Sequence, residues 1–67
     1  MIKLQLNGQT IDYPTDKTIA DLVERHHLSP KTILVECNGV ALHRGEWAEI
    51  LLQDGDRIEF IKVVAGG

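Results

Sequence analysis

The sequence is short of cysteine, of aromatic residues and of long apolar runs, and each shortage excludes a class of protein. Its one cysteine, Cys37, excludes an intramolecular disulfide, so this small chain is expected in a reducing compartment, by default the cytoplasm. No uninterrupted apolar run exceeds three residues, whereas a membrane-spanning helix needs about 20. Neither a membrane span nor a secretory leader is therefore expected.

The basic residues are also few and dispersed. Seven Lys and Arg residues are scattered along the chain, the formal net charge is −3, and one Trp, one Tyr and one Phe are the only aromatic residues. Nucleic-acid binding needs a basic patch, often with stacking rings. The composition therefore argues against nucleic acid as a partner, and mild acidity suits a protein partner with a basic surface.

Chain length limits the kind of chemistry that the protein can perform. A chain of 67 residues forms one domain at most. A domain of this size buries only about 60% of the surface of its unfolded chain, which leaves no room for a deep, walled active site beside a core. Chemistry is therefore expected at the surface or at a terminus, inside the pocket of a partner.

Two β-hairpins are predicted, each centred on an Asn-Gly pair, at residues 7–8 and 38–39. Apolar and polar residues alternate on both sides of each pair, which is typical of strands with one buried face. Asn-Gly is the strongest short hairpin signal because both residues tolerate positive φ. A two-residue turn fixes the register: it pairs Leu6 with Gln9, Leu4 with Ile11, Ile2 with Tyr13, Cys37 with Val40 and Val35 with Leu42.

One amphipathic helix is predicted between the hairpins, over residues 18–28. Thr18 is the predicted N-cap, and Asp21, three positions on, gives a shortened capping box. Ser29-Pro30 ends the helix. Its apolar stripe, with the spacing i, i+3, i+4 and i+7, comprises Ile19, Leu22, Val23 and His26.

After the second hairpin, the sequence predicts a loop and a final strand. Residues 43–53 have a mixed period, which predicts a loop with one helical turn, anchored by Trp47, Ile50 and Leu51. Asp54-Gly55-Asp56 is a predicted turn, and Arg57 to Val63 the last strand. That strand carries Ile58 and Phe60 on one face and Ile61 and Val63 on the other. A strand that is apolar on both faces is usually central in its sheet.

The order hairpin, helix, hairpin, final strand is that of an α+β protein with the β-grasp, or ubiquitin-like, fold. We expect a mixed five-stranded sheet packed on one main helix, with the last strand parallel to the first in the middle of the sheet. Residues 1–63 are expected to form a single domain. Residues 64–67 are expected to form a flexible C-terminal tail.

The tail Val64-Ala65-Gly66-Gly67 is the main candidate functional segment. Together with Val63 it reaches up to roughly 17 Å when extended. Because glycine lacks Cβ, a tail that ends in two glycines is able to enter a narrow channel of a partner enzyme. Its last carbonyl is also open to nucleophilic attack. The alternative is that the terminal glycines have no role.

The Gly67 carboxylate has an ordinary pKa near 3.3–3.7, so it is ionised and a poor electrophile. Its activation by ATP needs Mg²⁺ and a phosphate-binding site, and the chain has no Gly-rich phosphate loop. We therefore expect a partner enzyme to use the ATP and Mg²⁺ and this chain to be its substrate, with no bound cofactor and no metal of its own.

Other candidate sites are weaker. Cys37 is expected to be an ordinary thiol at a strand end. His26 and His27 are adjacent on the helix, about 100° apart, and so do not have the i, i+4 spacing of a helical metal site. Ile61 and Val63 would form a partner-docking face if the outer side of the sheet is open. Residues 43–53 could equally cover that side, and the sequence leaves both arrangements open.

Four features resemble one family over essentially the whole chain: the Glu46-Trp47-Ala48 segment, the Gln53-Asp54-Gly55-Asp56 turn, the apolar strand that follows and the Val64-Ala65-Gly66-Gly67 ending. The chain resembles the ThiS family of sulfur carriers of thiamin (thiazole) biosynthesis, within the ubiquitin-like and MoaD-like superfamily. Short matches of this kind are individually weak, but their order and spacing together are specific.

The resemblance implies a mechanism and partners. An E1-like adenylating enzyme of the ThiF type would adenylate Gly67, and sulfur from a cysteine desulfurase or rhodanese-type donor would convert it to a thiocarboxylate. A thiazole synthase of the ThiG type would take that sulfur. Val64, Ala65 and Gly66 correspond to the tail that threads into both enzymes.

Three functional hypotheses follow from the sequence. The first is a sulfur carrier, for thiazole synthesis or for another pathway of the molybdopterin type. The second is a ubiquitin-like modifier whose tail forms isopeptide bonds with lysine. The third is a β-grasp binding module in which the tail has no role. A stand-alone enzyme is not expected, because the sequence offers no catalytic group of residues.

Overall fold

The computed structural model describes residues 1–63, and these form a five-stranded sheet with one α-helix on one side. The strands lie in the order β2-β1-β5-β3-β4. β5 is parallel to β1, and the other neighbouring pairs are antiparallel. The elements are β1 (Ile2–Leu6), β2 (Gln9–Tyr13), α1 (Ile19–Arg25), β3 (Ile33–Cys37), β4 (Val40–Leu42) and β5 (Arg57–Lys62), with short 3₁₀ turns at Pro30–Thr32 and Arg44–Glu46. The predicted β-grasp fold is confirmed.

Both predicted hairpins have the predicted register. The first pairs Leu4 with Ile11 and the second pairs Val35 with Leu42. Both residues of each Asn-Gly turn have positive φ, between 49° and 84°. These angles match a two-residue turn that follows the right-handed twist of the strands. Local turn chemistry alone therefore fixes two of the pairings in the sheet.

The core lies between the inner face of the sheet and α1. Alternation along each strand directs its apolar residues to that face, where they meet the apolar stripe of the helix. Trp47 and Leu52, from the segment after β4, complete the core. Its buried members are Leu4, Leu6, Tyr13, Ile19, Leu22, Val23, Ile33, Val35, Trp47, Leu52 and Ile58.

The helix begins as predicted and ends earlier. The Asp21 N–H donates to Thr18 Oγ1 at 3.2 Å, and the Thr18 N–H donates to the Asp21 carboxylate at 2.9 Å, which closes the capping box. The Thr18 N–H and the Thr18 hydroxyl, the latter at 3.0 Å, both donate to the Asp21 carboxylate, and these two bonds hold the pKa of the Asp21 carboxyl below its ordinary value. α1 ends at Arg25, so the prediction that it reaches residue 28 was wrong.

The helix ends early because the chain reverses direction at His27. His27 has a φ of 55°, in the left-handed region. The N–H groups of His27 and Leu28 donate to the carbonyls of Glu24 and Val23, at 3.0 and 3.4 Å. This is a Schellman motif, which satisfies the last carbonyls and reverses the chain. At seven residues, α1 is far from long enough to cross a membrane, and the described residues contain no helix long and apolar enough to do so.

His26 was assigned to the buried stripe, and this was wrong, because its side chain is exposed. Its ring Nδ1 lies 2.9 Å from the Leu22 carbonyl oxygen, to which it donates. The ring also packs edge-on against Phe60, with centroids 5.9 Å apart. His26 therefore closes the C-terminal end of the helix against β5 and adds little to the core.

Residues 43–53 pack beside the helix, and one of their predicted anchors was wrong. Trp47 is buried and Ile50 half-buried, as expected, but Leu51 is 56% exposed and Leu52 only 5%. Backbone hydrogen bonds explain why Leu52 is buried and Leu51 is not. Leu51 forms an isolated bridge with Thr18, and the Leu52 N–H donates to the Lys17 carbonyl at 2.8 Å. In this extended stretch, neighbouring side chains point to opposite sides, so only one of the two leucines enters the core.

Asn7 extends the support of β5 beyond the end of β1. Its N–H donates to the Ile58 carbonyl at 3.0 Å, and its side-chain Oδ1 accepts the Phe60 N–H at 2.8 Å. Because Asn7 turns away at a φ of 49°, its side-chain oxygen takes the place of the carbonyl that would have continued the parallel ladder.

Replacing Asn7 by Ala is expected to lower the free energy of unfolding by about 1–3 kcal/mol, since it removes this acceptor and forces Ala into the left-handed region. Asn7→Asp keeps an acceptor and tolerates positive φ, so it should lose clearly less. Urea denaturation measures both variants. An equal loss in both would show that the bond to Phe60 does not matter.

Candidate functional site

The central strand β5 leads directly to the predicted functional tail. It lies between β1 and β3 and ends at Lys62, one residue earlier than predicted. The Val63 N–H still donates to the Thr32 carbonyl at 2.8 Å, so pairing with the chain before β3 continues to the last described residue. The predicted site residues Val64, Ala65, Gly66 and Gly67 lie outside the described residues.

The outer face of the sheet carries an exposed apolar patch where β5 ends. Ile61 and Val63, the two predicted docking residues, are 39% and 44% exposed. Leu34 lies directly opposite Ile61 on β3 and is 52% exposed. We refer to Leu34, Ile61 and Val63 as the outer patch.

Residues 43–53 do not cover the outer patch. The Trp47 carbonyl accepts the Ala20 N–H at 3.1 Å and the Ile50 carbonyl accepts the Ile19 N–H at 3.0 Å. The segment therefore lies on the helix side of the sheet. Of the two arrangements that the sequence left open, the structure has the open outer face.

Leu34 was missing from the predicted docking face. Its sequence signal was present, because Ile33 and Val35 point to the core and strand alternation places Leu34 on the other side. Its place next to Ile61 depends on the pairing of β3 with β5, strands separated by a turn, a short strand and a long loop. No local pattern in the sequence specifies that pairing.

Next to the patch, the outer face carries two facing carboxylates, with Arg57 beside them. Glu36 on β3 lies directly opposite Glu59 on β5, in the pair next to Leu34 and Ile61. Like charges in this position repel one another. A basic surface on a partner would relieve that repulsion while covering the outer patch.

Cys37 has the properties of an ordinary thiol. Its side chain is half-buried, and burial raises the pKa of the thiol above its ordinary value, with a further increase from the Asp56 carboxylate. The Asn38 side-chain nitrogen lies 3.6 Å from Sγ. Both pKa effects oppose formation of the thiolate, the form that reacts as a nucleophile.

The histidines do not form a metal site with other residues of the described chain. His26 bonds to a helix carbonyl, and the backbone N–H of His43 donates to the Glu46 carboxylate at 2.9 Å. Within residues 1–63, no three His, Cys, Asp or Glu side chains are grouped as metal ligands.

Comparison with known proteins agrees with this geometry. A model of the ThiS family matches residues 4–67. A solved structure of the thiamine biosynthesis protein ThiS from Geobacter metallireducens superposes with a TM-score of 0.83 at 26% identity, covering 98% of this chain and 100% of that one. The match extends over nearly the whole chain and includes its Gly-Gly end.

Curated relatives include a carrier of similar length and longer thiazole synthases. The chain is 27% identical over 66 residues to the sulfur carrier protein ThiS of Escherichia coli, covering 98% of this chain and 100% of that protein. It is 29% identical over 66 residues to a thiazole synthase of Magnetococcus marinus, where 98% of this chain spans only 20% of the relative. The chain thus spans about a fifth of the length of the thiazole synthases it matches. From the family match over residues 4–67, the chain belongs to the ThiS family.

Proposed function

We propose that this chain is a sulfur carrier for thiamin biosynthesis and that the C-terminal carboxyl of Gly67 carries the sulfur. The observation that carries the proposal is that the ThiS family match runs to Gly67. The fold is compatible with it, because the central strand ends at Lys62, two residues before the Val64-Ala65-Gly66-Gly67 segment in the sequence. The protein is a co-substrate of its partner enzymes and not itself a catalyst.

The chemistry at Gly67 takes two steps on partner enzymes. An E1-like enzyme of the ThiF type, using ATP and Mg²⁺, joins AMP to the Gly67 carboxylate and releases pyrophosphate. In the second step, the terminal sulfur of a cysteine persulfide on a cysteine desulfurase or a rhodanese-type donor attacks the glycyl carbonyl and displaces AMP, which leaves the carrier joined to the donor cysteine through an acyl disulfide. A second thiol then cleaves that S–S bond, forming a disulfide with the donor cysteine and releasing the Gly67 thiocarboxylate. A glycyl carbonyl suits both steps, since no side chain obstructs the approach.

A thiazole synthase of the ThiG type is the proposed sulfur acceptor. Support comes from the curated relatives in which nearly the whole of this chain aligns with part of a thiazole synthase. A carrier-like segment within the same polypeptide as the synthase indicates that the two act together. The chain has one free, half-buried cysteine and so cannot form an intramolecular disulfide. This composition is typical of proteins in a reducing compartment, and we therefore place the carrier in the cytoplasm.

The outer patch is the proposed docking face for the adenylating enzyme. It adjoins the tail, is apolar and open, and is bordered by the Glu36–Glu59 pair. An apolar centre with a charged border is the usual anatomy of a protein interface. A partner bound there holds the carrier while Val64, Ala65 and Gly66 thread toward its active site.

Replacing Leu34 by Asp is expected to weaken binding of the adenylating enzyme at least about tenfold, because a carboxylate would lie where an apolar contact is needed. Val40→Asp is the matched control: Val40 is 61% exposed but lies at the far end of β3 and β4 from the tail. Isothermal titration calorimetry measures both affinities. Equal losses in the two variants would argue against the outer patch.

Mass spectrometry of the C-terminal peptide tests the carrier function. The chain is incubated with ATP, the E1-like enzyme and a sulfur donor, and the expected result is an ATP-dependent replacement of oxygen by sulfur on the peptide that contains Gly67. Alkylation separates this product from Cys37, and peptide mapping separates it from oxidation of Met1. Lysine adducts in place of a thiocarboxylate would instead identify a ubiquitin-like modifier.

A further inference from the structure

The edge of β5 that faces β1 is only partly paired. Even-numbered residues of this strand direct their backbone groups toward β1: the Gln5 N–H donates to Asp56 at 2.9 Å and the Asn7 N–H to Ile58 at 3.0 Å. The parallel ladder ends with Ile58. One more backbone N–H on this edge has a hydrogen-bond partner, because the Asn7 side chain accepts the Phe60 N–H at 2.8 Å.

Beyond that bond, the edge of β5 is unpaired within residues 1–63. The Phe60 carbonyl and the Lys62 N–H face the same side by strand alternation, and neither takes part in a hydrogen bond with another described residue. On the opposite edge, pairing continues as far as Val63, whose N–H donates to Thr32. As far as residues 1–63 are concerned, β5 therefore presents one unpaired carbonyl and one unpaired N–H on this side, close in sequence to Val64.

An apolar groove of about 410 Å³ opens beside this edge, on the helix side of the sheet. Leu28, Ile33 and Phe60 are among its apolar lining residues, and the exposed residues His26 and Lys62 also line it. Among residues 1–63, no Asp or Glu lines the groove, although the chain as a whole has a net charge of −3. We call it the β5 groove.

We propose that the free edge of β5 and the β5 groove receive an extended strand of the enzyme that holds the tail, so that this strand adds to the sheet beside Phe60 and Lys62. In strand addition, main-chain hydrogen bonds supply the affinity and alternate side chains supply the specificity. The groove suits one apolar side chain of that strand, and the Lys62 ammonium group suits an acidic neighbour. This inference rests on the carrier function proposed above.

Two features favour an enzyme strand over a second copy of this chain. The tail begins two residues after Lys62. A strand of the enzyme that pairs with β5 at Lys62 would therefore continue beside the segment that must enter the active site. Pairing of two copies along the same edge would instead bring two Lys62 side chains of like charge close together. The edge is also short, which suits a transient contact of a carrier that must leave each partner.

Lys62→Pro tests the backbone donor, and Lys62→Ala is its matched control. Proline removes the N–H on the free edge but leaves the pairing with β3, which uses the odd-numbered residues of β5. Calorimetry with the E1-like enzyme and with thiazole synthase should show that the Pro variant binds at least one of them about tenfold more weakly than the Ala variant does. Equal affinities of the two variants for both enzymes would overturn the proposal.

Hydrogen exchange of the unmodified chain supplies a measurement that needs no variant. The Lys62 amide should exchange rapidly in the free chain and become about tenfold or more protected in a complex with the enzyme. A complex in which this amide stays unprotected would overturn the strand addition alone. Protection that depends on concentration in the free chain would assign the edge to a second copy and also overturn it. Failure of the chain to bind either enzyme, or to be loaded with sulfur on the E1-like enzyme, would overturn the carrier function itself.

Discussion

Deletion of Gly67 is expected to abolish sulfur loading while leaving the fold unchanged. The new terminal carboxyl, on Gly66, would lie about 3.3–3.6 Å short of the position where the adenylating enzyme acts. A displacement of only 1 Å can cost about 100-fold in rate, so the loss of loading should be at least that large. Within residues 1–63, the buried core contains no residue after Ile58, so we expect no change in the free energy of unfolding.

The measurement combines the rate of thiocarboxylate formation, from the mass of the C-terminal peptide, with urea denaturation of the same variant. Addition of a glycine after Gly67 is the matched control, because it keeps the chemistry of a glycyl terminus and changes only its reach. That variant should also load slowly. Loading of the truncated chain at the rate of the full chain would mean that the terminal position is not specific, and would contradict the carrier mechanism.

Ile58→Ala is expected to have the largest effect on stability among the residues of β5. Ile58 is 1% exposed and lies in the central strand, paired with both β1 and β3. Removing a large buried aliphatic side chain costs about 2–5 kcal/mol, part of it from the cavity that remains. A chain of 67 residues has a total stability of about 3–10 kcal/mol at the usual value per residue. This variant should therefore be partly or wholly unfolded at 37 °C.

Ile61→Ala is the matched control on the same strand. Ile61 has the same side chain but lies on the outer face and is 39% exposed, so its replacement should change the free energy of unfolding by no more than about 0.5 kcal/mol. Thermal and urea unfolding measure both variants. A comparable loss of stability in the two would mean that the outer face is packed in solution, which contradicts its assignment as a docking face.

The local elements could be predicted because their causes lie within a few residues. Asn-Gly at residues 7–8 and 38–39 fixed both hairpin registers, and the Thr18–Asp21 capping box fixed the start of the helix. The end of the helix could not be predicted in this way. Arg25, His26 and His27 are acceptable in a helix, and the Schellman reversal at His27 goes with Leu28 packing against the core.

The burial of Leu52 in place of Leu51, which the sequence had predicted to be buried, also depends on packing between distant parts of the chain. Ile50, Leu51 and Leu52 are equally apolar, so composition does not distinguish which of them is buried. The choice was made by two contacts with the start of the helix, at Lys17 and Thr18, which are more than thirty residues away in the chain. A contact at that separation leaves no periodic trace in the sequence.

The sequence by itself determined the Gly-Gly ending and the order of the elements. It also determined the alternation along the last strand, which places Ile61 and Val63 on one face and Ile58 and Phe60 on the other. These depend on residue type and spacing, which are local properties. Only the tertiary structure decided that the outer face is open, that Leu34 joins Ile61 there, and that β5 keeps a free edge beyond Asn7. Each of these depends on where one strand ends relative to another distant in the chain, and that is set by packing of the whole core.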